Sequence, residues 1–171
     1  EVLRQIAEKC IEYEPENTSR TSYSLEDSGY EAKWTDGDVL GIYPVGGDQV
    51  AFPISDGTGA SEAVFDGGAW ALRSSYAYAA YYPFSAGNYT IPESEIPVTY
   101  AGQTQTGNNT FTHFATYDYL ASKATHPDSE GNVSLKMKHI GCFFLLKLTM
   151  PKAGTYTKVT LISDNKEFTV Q

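Results

Sequence analysis

The stretch from Leu135 to Met150, LKMKHIGCFFLLKLTM, constrains the fold of this chain more than any other part of the sequence. Residues 140–148 are apolar except for one glycine and one lysine. Alternate residues place large apolar side chains on both faces of an extended segment, which is typical of a strand that is covered on both sides. The run is shorter than the roughly 20 apolar residues that a membrane-spanning helix needs. We therefore predict a central core β-strand at 140–148.

Length, charge and cysteine content limit the class of protein. A chain of 171 residues is long enough for one domain with a substantial core. The formal net charge of −9 makes nucleic acid and anionic membrane surfaces poor partners, so no nucleic-acid partner is expected. The two cysteines, Cys10 and Cys142, do not form a disulfide framework, and whether they pair with each other stays open.

Residues 1–13 differ in composition from everything that follows. Their apolar residues recur at helical spacing, yet residues 10–13 also read as a short strand, so a helix and an extended arm both stay open. Pro15 ends the segment. We predict an N-terminal arm over 1–17 and a β-sandwich domain over 18–171. The arm residues available to dock on a sandwich are Val2, Leu3, Ile6 and Ile11.

From residue 18 onward, short β-prone segments alternate with turn residues. The segment RSSYAYAAYYPF at 73–84 is the second organising strand, with alternate tyrosines on one face and mostly small residues on the other. This pattern predicts an all-β fold, an antiparallel β-sandwich with Greek-key character. Further strands are predicted at 19–24, 30–34, 39–43, 49–54, 61–65, 158–163 and 167–170.

No group of residues stands out as a catalytic or metal-binding constellation. His113, His126 and His139 have no second His or Cys at metal-ligand spacing. The sequence contains no Gly-x-Ser-x-Gly elbow and no Gly-rich phosphate loop that leads into a helix. The acidic segments 36–38 and 128–132 read as turns rather than as calcium sites. We therefore expect no enzyme activity, no catalytic or metal-ligating residue and no cofactor.

Aromatic side chains give one binding alternative. Trp34, Trp70 and the tyrosine stripe at 76–82 would suit a platform on which a sugar ring stacks. An aromatic face in a Tyr-rich sandwich is more often part of the packing. A glycan-binding sandwich that contacts sugar through Trp34 or Trp70 is the alternative to a purely structural protein.

Five short motifs follow one another between residues 19 and 140. They are SRTS at 19–22, KWTDGDVLGIY at 33–43, AYAAYYPF at 77–84, YDYLA at 117–121 and KHI at 138–140. In this order they resemble the fimbrillin family, the fimbrial subunits, tips and anchors of oral and gut Gram-negative anaerobes. The resemblance implies a transthyretin-like β-sandwich that is exported as a lipoprotein precursor and lies on the extracellular side of the outer membrane.

The resemblance also implies a function and partners. Family members usually have two such domains, so this chain would supply the N-terminal one. The implied role is non-enzymatic, as a structural subunit, tip or anchor. The implied partners are other fimbrial subunits or a second copy through strand exchange, together with host or bacterial surface glycans or proteins. In this reading the arm at 1–17 docks on a sandwich, its own or a neighbour's; the alternative is a passive tail.

Overall fold

The structure is a computed structural model that describes residues 22–26, 29–89, 91–92, 95–107, 110, 113–141, 149–150, 152–155, 157–158 and 160. Several predictions fall outside these residues: the arm at 1–17, both cysteines, most of the C-terminal strands, and the predicted core strand from residue 142 onward. Ile140, at the start of that strand, is described and is buried, at 6% exposure.

The regular secondary structure of the described part of the chain is almost entirely β-strand. It also includes a 3-10 turn, Ala86–Asn88, and a short helix α1, Phe114–Tyr117. The strands are β1 Ser22–Glu26, β2 Gly29–Lys33, β3 Val39–Pro44, β4 Val50–Asp56, β5 Val64–Phe65, β6 Tyr78–Tyr82, β7 Leu120–Ser122 and β8 Met137–His139.

Six of these strands form one antiparallel sheet in the order β5-β4-β3-β6-β7-β8. β1 and β2 form a separate antiparallel hairpin, in which Glu26 pairs with Gly29. β3 lies between its hairpin partner β4 and the later strand β6. The prediction of an all-β, antiparallel fold is confirmed.

The predicted alternation of β6 is also confirmed. Tyr78, Ala80 and Tyr82 share one face and lie in the main hydrophobic core. Tyr81 points to the other face, where it forms a smaller cluster with Tyr43 and Ile96. The other members of the main core come from the turn before β3, from β3 and β4, and from β7 and β8: Trp34, Leu40, Ile42, Phe52, Leu120 and Met137.

The second face of the sheet depends on one close approach between β3 and β6. Gly41 and Tyr81 are paired in register across these strands. A Cβ atom at residue 41 would overlap the tyrosine ring, coming within 2.7 Å of its Cδ1 atom. Only glycine therefore leaves room at residue 41 for the ring of Tyr81 where the structure places it.

The turn between β2 and β3 forms as predicted. Gly37 has a φ of +87°, a conformation that glycine adopts without steric cost. The backbone N–H of Asp38 donates to the carbonyl of Thr35 at 3.2 Å, and the backbone N–H of Thr35 donates to Oδ2 of Asp38 at 2.8 Å. This reciprocal pair fixes the carboxylate of Asp38, which is 7% exposed, at the end of the sheet.

Candidate functional site

Four of the five sequence motifs meet around Tyr82, the last residue of β6. Tyr82 pairs in register with Leu120 of β7, and Leu120 pairs with His139 of β8. The rings of Trp34 and Tyr82 make an edge-to-face contact with centroids 5.6 Å apart. We call this group the Tyr82 cluster and define it as Trp34, Asp38, Tyr82, Asp118 and His139.

The phenol of Tyr82 acts as a hydrogen-bond donor in this cluster. Its hydroxyl donates to Oδ1 of Asp38 at 3.0 Å. Burial raises the pKa of Tyr82 well above its ordinary value, and the negative charges of Asp38 and Asp118 raise it further. The hydroxyl therefore stays protonated at any physiological pH, which suits a structural bond and not a nucleophile or base.

Asp118 and His139 form the second polar contact of the cluster. Nδ1 of His139 lies 2.5 Å from Oδ1 of Asp118, and the side chains are 32% and 3% exposed. His139 is the last residue of β8, and this contact orients its ring. A carboxylate that orients an imidazole also occurs in the Ser-His-Asp triad of hydrolases, where the imidazole acts as the general base for a nucleophilic hydroxyl. Within the described part of the chain, however, no hydroxyl or thiol is hydrogen-bonded to this ring.

The acidic turns use their oxygens internally. Oδ1 of Asp128 accepts hydrogen bonds from the backbone N–H groups of Glu130 and Asn132, each at 2.9 Å. These bonds, that of Asn132 first, favour the charged carboxylate and lower the pKa of Asp128 below its ordinary value. Among the described residues, no group of three His, Cys, Asp or Glu side chains is arranged to hold a metal ion.

The two tryptophans predicted as sugar contacts lie in different environments. Trp34 is 3% exposed, and its ring meets the ring of Phe65 at 4.9 Å between centroids, in addition to the ring of Tyr82. The prediction of Trp34 as a sugar contact is therefore wrong, because its ring is enclosed in the core and a ligand in solvent does not reach it. Trp70 is 64% exposed and keeps its predicted role as a candidate.

Trp70 lines an open groove of about 460 Å³ on the surface. A second aromatic side chain, Tyr89, lines the same groove and is 54% exposed. None of the described residues that line the groove carries a charge. The remaining lining residues are Gln49, Val50, Ala51, Gly67, Phe84 and Ala86.

Buried polar side chains hold one wall of this groove in place. Gln49, which is 2% exposed, donates from Nε2 to the carbonyl of Ser85 at 2.7 Å. The hydroxyl of Tyr81 donates to Oε1 of Gln49 at 2.6 Å and accepts from the backbone N–H of Ser85 at 2.9 Å. The hydroxyl of Tyr43 bonds the carbonyl of Asn88 at 3.1 Å. Residues 85–88 are thus tied to β3 and β6 immediately before Tyr89.

Sequence reasoning missed Tyr89 and Gln49. Tyr89 lies in a polar stretch without periodicity, and one tyrosine among 13 carries no signal of its own. Gln49 lies at the start of the predicted strand 49–54, where a glutamine is normally solvated. The available signal is the preceding motif, since residues 85–89 follow AYAAYYPF directly and Tyr81, the first residue of its tyrosine pair, supplies the anchoring hydroxyl.

The described residues include no helix that is both long enough and apolar enough to span a membrane. No protein-family model matches this chain, and neither a curated protein nor a solved structure is significantly similar to it. The fimbrillin resemblance therefore rests on the five motifs of the sequence.

Proposed function

We propose that this chain is a non-enzymatic cell-surface protein of fimbrillin type, a structural subunit, tip or anchor that assembles through β-strand complementation. The observation that carries the proposal is the Tyr82 cluster. Residues of four motifs, separated by up to about 100 positions in the sequence, contact one another in a mostly buried site. A motif set that specifies packing is what a family of structural proteins with diverse surfaces requires.

The fold that belongs to this proposal is a transthyretin-like Greek-key sandwich. The spatial order β6-β3-β4-β5 supports the Greek-key part, because three consecutive strands are followed by a fourth that returns beside the first. The separate β1–β2 hairpin, in which Ala32 is 7% exposed, supports a second layer. In the same proposal the chain is exported as a lipoprotein precursor, faces outward at the outer membrane, and is followed by a second β-domain.

In this proposal, assembly uses the edge strands of the sheet and the N-terminal arm. β5 and β8 are the outermost strands of the described sheet. A strand from another segment adds to such an edge through backbone hydrogen bonds and buries alternate side chains. The proposed donor is the arm at 1–17, docking through Val2, Leu3, Ile6 and Ile11 on its own sandwich, on that of a second copy or on that of another fimbrial subunit.

Sedimentation of the full chain over a range of concentrations tests this function. A double variant, Ile6→Asp with Ile11→Asp, removes the apolar character of the arm, while Glu8→Gln with Glu12→Gln changes its charge and leaves the apolar residues intact. We expect the aspartate variant to lose association or to melt several degrees lower, and the glutamine variant to match wild type. Identical sedimentation and melting of all three chains would contradict strand complementation.

A second function, recognition of a surface glycan, is favoured by the exposure of Trp70 in an open groove. Exposed tryptophan is uncommon on soluble proteins, and clustered exposed aromatic rings mark interaction sites. This function is compatible with the first, since a fimbrial protein can carry an adhesive site. A glycan array with the purified chain and a Trp70→Ala variant tests it. Loss of binding in the variant supports the function, and absence of any binding by wild type refutes it.

A further inference from the structure

We propose that the groove of Trp70 and Tyr89 selects a neutral saccharide, which stacks on these two rings, and rejects acidic sugars. The proposal rests on the glycan-recognition function above and deepens it in two ways. It assigns Tyr89 as a second stacking residue, and it names the chemical class of the ligand.

The two rings supply the apolar contact. Trp70 and Tyr89 line one groove and expose 64% and 54% of their surface. The C–H face of a pyranose is apolar while its rim carries hydroxyls, so it matches an amphipathic ring such as tryptophan or tyrosine. The groove of about 460 Å³ lies within the range of about 300–1,000 Å³ that is typical of small-ligand sites.

The segment 85–89, which carries Tyr89 along one side of the groove, is held by hydrogen bonds within the protein and needs no ligand to order it. The amide of buried Gln49 is bonded on both sides, to the carbonyl of Ser85 and to the hydroxyl of Tyr81. The 3-10 turn Ala86–Asn88 follows, and the backbone N–H of Tyr89 donates to the carbonyl of Ala86 at 3.3 Å. A wall that is already ordered loses little conformational freedom on binding, which matters for a weakly bound sugar.

The charge of the residues in and around the groove favours neutral sugars over acidic ones. The described lining residues are uncharged, and the exposed carboxylates of Asp48 and Asp66 directly precede the lining residues Gln49 and Gly67 in the sequence. Carboxylates accept hydrogen bonds from sugar hydroxyls but repel sialic and uronic acids, and the chain as a whole carries −9.

The two tryptophans make the test specific, since the chain has only Trp34 and Trp70. Their indole N–H signals in a two-dimensional NMR spectrum separate the groove from the core. Matched probes are cellopentaose and lacto-N-tetraose as neutral sugars, sialylated lacto-N-tetraose, and tetragalacturonate. We expect neutral sugars to shift the Trp70 signal and leave Trp34 unchanged, and acidic sugars to bind at least about tenfold more weakly.

Two alanine variants test whether Tyr89 is the second stacking residue. Tyr89→Ala should weaken binding of the neutral sugar about tenfold, whereas Tyr76→Ala, which removes an exposed ring outside the groove, should leave it unchanged. An unchanged Trp34 signal in each variant shows that the core is intact. Equal or tighter binding of acidic sugars overturns the proposal while glycan recognition at Trp70 stands. A Trp70 signal that responds to no sugar overturns both this proposal and glycan recognition, and one that responds only to protein concentration overturns them in favour of a second copy.

Discussion

Tyr82 and Asp38 are joined by a buried hydrogen bond in which the phenolic hydroxyl donates to Oδ1 at 3.0 Å across 44 positions of sequence. The two residues are 5% and 7% exposed. The carbonyl of Asp38 also accepts the backbone N–H of Ile54 in β4 at 2.8 Å. The turn motif and the aromatic motif of the sequence therefore stabilise each other, and neither is complete without its partner.

Replacing Tyr82 with phenylalanine should destabilise the fold. The substitution keeps the ring and removes the donor, so the carboxylate of Asp38 loses a hydrogen bond in a buried site. We expect the free energy of unfolding to fall by about 1.5–3 kcal/mol, the range for bonds to charged groups. Urea denaturation measures it. Tyr76→Phe, at a ring that is 46% exposed, should change stability by less than about 0.5 kcal/mol, and equal effects of the two substitutions would contradict the assignment.

The same tyrosine predicts a dependence of stability on alkaline pH. Folding raises the pKa of Tyr82 above its unfolded value of about 10, so the native state holds a proton that the unfolded state releases. This contribution is fully present below pH 10 and is lost as the pH rises. Between pH 10 and 11, wild type should lose about 1 kcal/mol more than Tyr82→Phe. Parallel pH profiles of the two proteins would show that Tyr82 titrates normally.

Gly41→Ala should disturb the face of the sheet that the Tyr81 ring covers. The new methyl group overlaps the ring, which must move and weaken its hydrogen bond to Gln49. Overpacking of this kind costs about 1–3 kcal/mol. Gly154→Ala is the matched control, because its added methyl would contact nothing within 4 Å. Thermal melts of both variants decide the matter, and a wild-type melting temperature for Gly41→Ala would show that the ring is not held there.

A double-mutant cycle measures the contact between Asp118 and His139. Each alanine substitution alone removes the contact, so the loss in the double variant should be smaller than the sum of the single losses. We expect a coupling energy of about 1–3 kcal/mol, because Asp118 is buried and charged. His126→Ala, at an exposed histidine, should leave stability near that of wild type. Additive single effects would mean that the two side chains do not interact.

Local patterns in the sequence predicted the strands and turns whose conformation is set by residues close to one another in the chain. The alternation of β6, the strands β1 and β2 and the turn at 36–38 all follow from side-chain spacing or from the freedom of glycine. The position of β7 did not follow, since a strand of three residues has too few positions to show a period.

Tertiary position decided what the sequence left open at the site. Trp34 and Trp70 are the same residue type, yet one is enclosed by Phe65 and Tyr82 while the other faces solvent. The contact of Asp118 with His139 spans 21 positions and arises only because β7 pairs with β8. Burial and long-range pairing are properties of the folded chain that no local pattern contains.

Hydrogen exchange of residues 1–17 in the full chain tests assembly by a donated strand most directly. If the arm is docked as a strand, its backbone N–H groups around Val2–Ile11 should exchange at least about a hundredfold more slowly than those of the free peptide. Docking on a second copy makes this protection increase with protein concentration, and the Ile6→Asp, Ile11→Asp variant should abolish it. Exchange at the free-peptide rate at every concentration would contradict strand complementation and leave the arm a passive tail.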